Sequence, residues 1–221
     1  MTTGTIAYCS REDQIYPGFA AHLARLCQQH PDAKVLHAIT NDIADGRNQC
    51  VRQMEGDWLW FIDADMLFAM NTLDRLLAHN VDLVQVLCAR RHPPHQPIMW
   101  QDHAGLINAT PRGVPGLTEV QSLGAGGTLY RRRVFEAIPD PWFEGVLGLE
   151  DTCLAQKARL AGFTLYVDTS TPVEHTTPML VAWEYVNGRW GLRYTSMNGQ
   201  QLHIAVKTDS KIVSPYEVVG R

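Results

Sequence analysis

An α/β fold on a doubly wound, mostly parallel sheet is what the sequence predicts, and three observations carry that expectation. Apolar runs and helical stripes alternate as β-α-β-α-β-α-β over the first 90 residues. The run Trp58-Leu-Trp-Phe-Ile62 is apolar throughout, as strands covered on both faces tend to be. Beyond residue 178 the texture turns to strands, with Asn187-Gly188 supplying a strong hairpin signal. The expected organisation is one α/β domain over 1–178 and a β-rich extension over 179–221.

The elements follow in order. Thr5-Ile-Ala-Tyr-Cys9 fits a buried strand. Pro17 opens a helix reaching His30, with Phe19, Leu23 and Leu26 at helical spacing. Lys34 to Thr40 is a second strand, Asp45 to Glu55 a helix ending at Gly56, and Trp58 to Ile62 the third strand. Asn71 is placed to cap a helix over Thr72 to His79, whose Leu73, Leu76 and Leu77 form one stripe. Val81 to Ala89 makes a fourth strand. Arg90 to Gly116 holds five of the 12 prolines and no clear period, so it reads as a long irregular connection of the functional kind. A strand resumes over Leu117 to Leu123, Gly124-Ala-Gly-Gly127 turns into Thr128-Leu-Tyr130, and Arg133 to Ile138 is a short helix. Glu150 to Ala161 is a helix with Gly162 at its C-terminal cap. Phe163 to Val167 and Leu202 to Lys207 are further strands.

Composition narrows the function. With 221 residues, 45% hydrophobic and 19% charged, the chain has the makeup of a globular protein. Nineteen Lys and Arg against 23 Asp and Glu leave a net charge of −4, which disfavours a whole-surface nucleic-acid binder. Five scattered cysteines without a C-x-x-C pair point to free thiols and a reduced, cytoplasmic compartment. No apolar stretch is long enough for a transmembrane segment, because Asp63 and Asp65 interrupt the most apolar window. The amino terminus has no basic head before an apolar run, so no secretory leader is expected.

The chemistry concentrates at Asp63-Ala-Asp65. Two carboxylates two residues apart, directly after a buried strand, sit at the carboxyl end of the sheet, where open α/β sheets bind ligands. That spacing lets both reach one hard cation, which in turn neutralises a diphosphate. Read on spacing alone, the pair is equally two capping or solvated acids after a strand.

Arg47-Asn48, WLWFIDADM, Leu73-x-x-Leu-Leu77 and VDLVQVLCARR resemble, in that order, the small GT-A-fold glycosyltransferases related to family 2, of phage and bacterial type. Gly124-Ala-Gly-Gly-Thr-Leu-Tyr-Arg-Arg-Arg-Val-Phe135, Leu149-Glu150-Asp151 and AGFTLYVDTSTPVEH175 continue the resemblance over residues 4 to 178. It implies a GT-A, Rossmann-like sheet, a nucleotide-sugar donor with UDP-sugars favoured, and Mn2+ or Mg2+. Asp65 matches the direct metal ligand, Asp63 the acid that leans toward ribose or a bound water, and His175 a further ligand. An imidazole nitrogen suits Mn2+ better than Mg2+. Tyr8, Ser10 and Arg11 match the donor-docking segment after the first strand, and Arg47 the arginine beside the donor. Gly126 and Gly127 fall in the turn that passes close to the donor sugar. Asp151, with Glu150 beside it, matches the general base of inverting members; acids in a helix's first turn also favour the helix dipole without any catalysis.

The chain departs from the family in lacking Pro-x-x after the first strand and the Q-x-x-R-W motif of processive synthases, which Gly188-Arg-Trp190 echoes only superficially. Rival readings are a catalytically silent nucleotide-sugar-binding module, a D-x-D phosphatase and a nucleotidyltransferase. For the phosphatase, the motif belongs on the first strand and continues with Thr or Val, where this chain has Met66-Leu67. For the nucleotidyltransferase, CSREDQIYPGF is not the expected Gly-rich basic loop. The acceptor stays open among a glycan, a lipid, a protein and a hydroxymethylated base of phage DNA, with the host cytoplasm as the location for a phage-encoded enzyme. Arg90-Arg91-His92 and Arg131-Arg132-Arg133 are local basic clusters suited either to a phosphate backbone or to plain solvation.

Overall fold

Alternation within the apolar strands builds two cores, one on each face of a sheet. The computed structural model describes residues 3–11, 15–91, 93–102, 107–145, 150–176, 180–195, 201–206 and 216–218. Along the chain these form β1 (Gly4–Ser10), α1 (Pro17–Gln29), β2 (Lys34–Ile39), α2 (Ile43–Gln53), β3 (Trp58–Phe61) and β4 (Met66–Leu67). Then come α3 (Thr72–Ala78), β5 (Leu83–Leu87), β6 (Met99–Trp100), β7 (Leu117–Val120), β8 (Ser122–Leu123), β9 (Thr128–Arg131), α4 (Arg132–Ala137) and α5 (Glu150–Leu160). The remainder is β10 (Leu165–Pro172), β11 (Glu174–Thr176), β12 (Leu180–Val186), β13 (Arg189–Thr195), β14 (Gln201–Val206) and β15 (Tyr216–Val218).

The main sheet has the order β2-β1-β3-β9-β5-β10-β7. Its neighbours β1–β2, β1–β3 and β5–β10 run parallel, while β9 and β7 run antiparallel to theirs. In β3, Trp58 and Trp60 pack on one face with Phe19 and Leu26 of α1 and Leu73 and Leu76 of α3. Leu59 and Phe61 pack on the other with Val51 of α2 and Leu154 and Ala158 of α5. The mostly parallel sheet covered by helices is as the sequence predicts.

A second sheet, β15-β14-β13-β12-β11-β4, starts on the two-residue strand that follows Asp65. Its outer strands come from the 179–221 region, and Trp183, Trp190 and Leu192 belong to the same core as α2 and α5. The hairpin turn forms as expected, with Asn187 at φ 51° and Gly188 at φ 78°, the left-handed pair that a two-residue turn between twisted strands requires.

Several local expectations are corrected. Asn71 occupies the N-cap position of α3, yet its side chain makes no capping hydrogen bond. The second helix starts earlier than expected because Asp42 caps it, accepting from the amides of Ala44 and Asp45 at 2.9 and 3.4 Å. The stretch expected as one strand over Leu117 to Leu123 divides: β7 pairs with β10 in the main sheet, whereas β8 pairs with β6, a short strand inside the proline-rich connection. The strand expected over Phe163 to Val167 runs on to Pro172. His92, Leu149, the start of the extension at Met179 and the strand end at Lys207 lie outside the described residues. Among the described residues no helix is long and apolar enough to cross a membrane.

Candidate functional site

A cleft of about 670 Å³ opens at the carboxyl ends of β1, β2 and β3, a size that accommodates a nucleotide-scale ligand. Each strand delivers a piece of its wall: Ser10 and Arg11 from β1, Thr40 and Asn41 from β2, Asp63 and Asp65 from β3. Arg47 of α2 and Arg91 from beyond β5 complete the charged lining.

The turn after β3 sets the two acids apart. The amide of Met66 donates to the carbonyl of Asp63 at 3.1 Å, closing the turn before β4. Met66 then pairs with His175 across β4 and β11, and the amide of Thr176 donates to the carbonyl of Asp65 at 2.7 Å. This pairing brings together two residues more than a hundred positions apart in sequence. The Nδ1–H of His175 donates to the carbonyl of Ala89 at 2.8 Å, which leaves Nε2 as the lone-pair nitrogen. That nitrogen is buried, makes no hydrogen bond, and lies 3.2 Å from Oδ2 of Asp65. Burial pushes the imidazole below its ordinary pKa, so the neutral form is favoured. A lone pair facing a carboxylate is a pair of donors looking for a cation, and a backbone-anchored Nδ1 is how metal-binding histidines are commonly oriented. The same Oδ2 is ion-paired with Nη2 of Arg91.

Asp63 faces the other way. Its Oδ1 is 3.4 Å from Nη2 of Arg47, and a Cβ on Gly126 would collide with its Oδ2. Gly126 is therefore a close-approach position, where a hydrogen in place of a methyl lets the β8–β9 turn run against the carboxylate. Gly127 has a φ of 75°, and a Cβ there would strike Val86.

Arg47 is the electrostatic hub. It is buried, with its carbon-bearing centre 5.7 Å from the Phe143 ring centroid, and Nη1 is ion-paired with Glu150. Burial opposes its charge, but Asp63, Glu150 and Asp151 outweigh that and hold its pKa above the ordinary arginine value. Glu150 and Asp151 open α5. Burial pushes both carboxyls up, with Arg47 pulling each back toward the ionised form. The backbone amide of Thr152 donates to Oδ1 of Asp151 at 2.8 Å, and Oδ2 looks toward Gly124. A carboxylate with a raised pKa and a neighbouring cation has the character of a tuned base.

The sequence-expected residues thus fall into groups. Ser10, Arg11, Arg47, Asp63 and Asp65 line one cleft, and His175 joins Asp65 from behind it. Glu150 sits behind Arg47. Tyr8 is buried beneath the cleft, stacked on His37 with ring centroids 4.3 Å apart, and His37 Nε2 is 2.7 Å from Ser10 Oγ. Cys9, also on the wall, shares a hydrogen bond with Cys50 that pushes its thiol well above the ordinary value, so it stays protonated. Arg91, Thr40, Asn41 and His37 were not foreseen as site residues. The strand-end rule that singled out Asp63 applies equally to Thr40 and Asn41 after β2. The 131–133 arginines are engaged elsewhere: Arg131 donates to the Leu77 carbonyl at 3.2 Å, Arg132 to the carbonyls of Gly56 and Met54 at 2.5 and 3.1 Å, and Arg133 pairs with Asp82.

Among the described residues no three His, Cys, Asp or Glu side chains converge as a metal cage. Asp65 and His175 are two donors of the right type for a divalent ion that draws its other ligands from phosphate oxygens and water.

Comparison with known proteins follows the same lines. The Glycosyl transferase family 2 model matches residues 16–138, more than half of the chain. Among solved structures, A197 from STIV is similar at a TM-score of 0.55 and 17% identity, over 91% of this chain and 93% of that one. That likeness is one of fold. TarS 1–349 of S. aureus, in complex with UDP-GlcNAc, gives a TM-score of 0.45 at 17% identity, and the match covers 76% of this chain and 56% of that chain. No curated protein sequence matches significantly.

Proposed function

This chain belongs to glycosyl transferase family 2, and on that premise we propose that it moves a sugar from a nucleotide-sugar to an acceptor hydroxyl with a divalent cation at Asp65 and His175. The observation that carries the reading is the buried, unpartnered Nε2 of His175, which lies 3.2 Å from Oδ2 of Asp65, itself a wall residue of the strand-end cleft. Mn2+ is the preferred ion, with Mg2+ as the alternative, since one of the two donors is an imidazole nitrogen. Bound there, the ion would offset the charge that develops on the leaving diphosphate.

The protein's own groups do the rest. Ser10 and Arg11 dock the nucleotide along the end of β1, with Tyr8 and His37 as the aromatic support beneath Ser10. Asp63 is held between Arg47 and Gly126, positioned for the ribose or a bound water. Gly126 and Gly127 keep the wall low where the sugar lies. Asp151 takes the proton from the acceptor hydroxyl as that oxygen bonds to the sugar carbon and the diphosphate departs, the route of an inverting transfer. Glu150, paired with Arg47, holds the start of α5, which carries Asp151 with its Oδ2 toward Gly124. A UDP-sugar is the favoured donor. The acceptor belongs to the class of glycans, lipids, proteins or hydroxymethylated DNA bases, and the cytoplasm, a host's cytoplasm for a phage protein, is the proposed location. We also place the division between catalytic domain and extension at residues 178 and 179.

A panel of UDP-, GDP- and TDP-sugars, incubated with purified protein and Mn2+ and read by nucleoside diphosphate release, tests this. Release from one donor class, abolished by EDTA, is expected. A protein that binds donors yet releases nothing with any of them, in the presence of a mixed acceptor panel, is the silent binding module instead.

A further inference from the structure

Arg91 has no part in the function described so far, yet it touches the atom on which that function turns. Its guanidinium Nη2 pairs with Oδ2 of Asp65, the oxygen that also lies 3.2 Å from His175 Nε2. The two partners differ in setting: the Arg91 side chain is 50% exposed at the mouth of the cleft, whereas that of Asp65 is 7% exposed. Arg91 and Arg11 both line this cleft.

We propose that Arg91 is a built-in counter-cation for Asp65, which a divalent ion must displace, and that the displaced guanidinium turns to the donor diphosphate. This rests on the reading of Asp65 and His175 as the metal pair. The physical case has three steps. A carboxylate as buried as Asp65 needs a compensating positive charge, and the Arg91 guanidinium is the group ion-paired with its Oδ2. Arg91 supplies the charge in the metal-free protein. A guanidinium and a divalent ion repel each other and cannot both occupy one carboxylate oxygen, so they compete. Once released, the Arg91 head group remains in the cleft that Arg11 also lines, and its fork of N–H donors matches phosphate oxygens. Metal and diphosphate then assist each other: the ion frees Arg91 for the phosphates, and the phosphates hold Arg91 off Asp65. Such coupling is reciprocal by linkage.

The test begins with Mn2+ alone, titrated into nucleotide-free protein and followed by the paramagnetic resonance signal of free Mn2+. Wild type, Arg91→Gln, Arg91→Lys and Asp65→Asn are compared, with thermal unfolding verifying that each is folded. Arg91→Gln is expected to bind Mn2+ about two- to fivefold more tightly than wild type, the range for losing a half-exposed ion pair. Arg91→Lys, which keeps the competing charge, is expected to stay near wild type. Asp65→Asn is expected to lose the site. Titration of UDP with and without saturating Mn2+ follows, and the gain in UDP affinity on adding Mn2+ should shrink in Arg91→Gln. Equal or weaker Mn2+ binding by Arg91→Gln overturns the counter-cation while the metal pair stands. An unchanged UDP gain overturns the turn toward the diphosphate. Undiminished Mn2+ binding by Asp65→Asn, or none by wild type, removes the metal pair and this proposal with it.

Discussion

Replacing Arg47 by methionine should cost far more stability than an arginine on a helix ordinarily carries. Its side chain is 7% exposed and its ion-pair partner Glu150 10% exposed, with Asp63 at 3.4 Å and Asp151 close enough to shift it. Methionine fills the same space beside Phe143 but leaves Glu150 buried without its cation. Breaking a buried pair on one side costs about 3–5 kcal/mol, and in a chain of this size each 1 kcal/mol lowers Tm by about 2–4 °C, so the expected fall is roughly 6–20 °C. The pH dependence has a definite sign. Glu150 already has its carboxyl pushed up by burial, with Arg47 as the main opposing influence; without Arg47 it rises further. A carboxyl raised in the folded state favours folding when protonated, and that benefit fades as pH climbs through the folded value. The deficit of Arg47→Met against wild type should therefore be largest near neutral pH and narrow as pH falls. Adding Glu150→Gln to Arg47→Met should recover much of the loss, since the stranded charge is gone. Calorimetric unfolding of the two single variants and the double variant, from pH 5 to 8, measures all of this. A loss below about 1 kcal/mol for Arg47→Met, or a strictly additive double variant, refutes the hub.

Other expectations concern the chemistry. Asp151→Asn should lower kcat by about 10²–10⁴-fold while donor affinity stays near wild type, as removal of a general base predicts; its burial-raised carboxyl also means the variant should be slightly more stable at neutral pH. A wild-type rate in Asp151→Asn, with the loss confined to Glu150→Gln, moves the base one residue back. In wild type the acid limb of the rate profile should lie above the ordinary aspartate range, because activity needs the ionised form of a group whose pKa is raised. Gly126→Ala puts a methyl into Oδ2 of Asp63, so donor dissociation constants measured by calorimetry should rise, and unchanged binding would show that Asp63 is not part of the donor site. His175→Ala should weaken Mn2+ binding less than Asp65→Ala, because a neutral ligand offsets less cation charge.

What could be read in the sequence was set by local pattern. The alternation within Trp58-Leu-Trp-Phe, two residues to each core, is a strand covered on both faces, and the D-x-D that ends it is placed by the strand itself. Motif order placed Arg47, Asp151 and His175 near that point. The pairings among them were not legible. His175 reaches Asp65 through β4, a strand of two residues that no periodicity can announce. Arg47 was visible as a donor-side arginine, but that its fork is divided between Glu150 and Asp63 depends on how α2 meets α5 across the sheet face. Arg91 reads in the sequence as one member of a basic cluster, because a charge run says nothing about which member pairs with a buried acid. Tyr8 follows the period of its strand into the core, and the residue above it, His37, comes from the parallel neighbour in register.

The most direct measurement of the central claim is the thermal shift produced by UDP in the presence of Mn2+ or EDTA, on wild type and Asp65→Ala. A ligand that binds only the folded protein raises its stability in proportion to the logarithm of its concentration over Kd. Wild type should show a large shift with UDP and Mn2+ together and a small one with UDP and EDTA, and Asp65→Ala should show the small shift under both conditions. A full shift in EDTA, or in Asp65→Ala with Mn2+, would contradict the assignment of Asp65 and His175 as the cation site of the donor cleft.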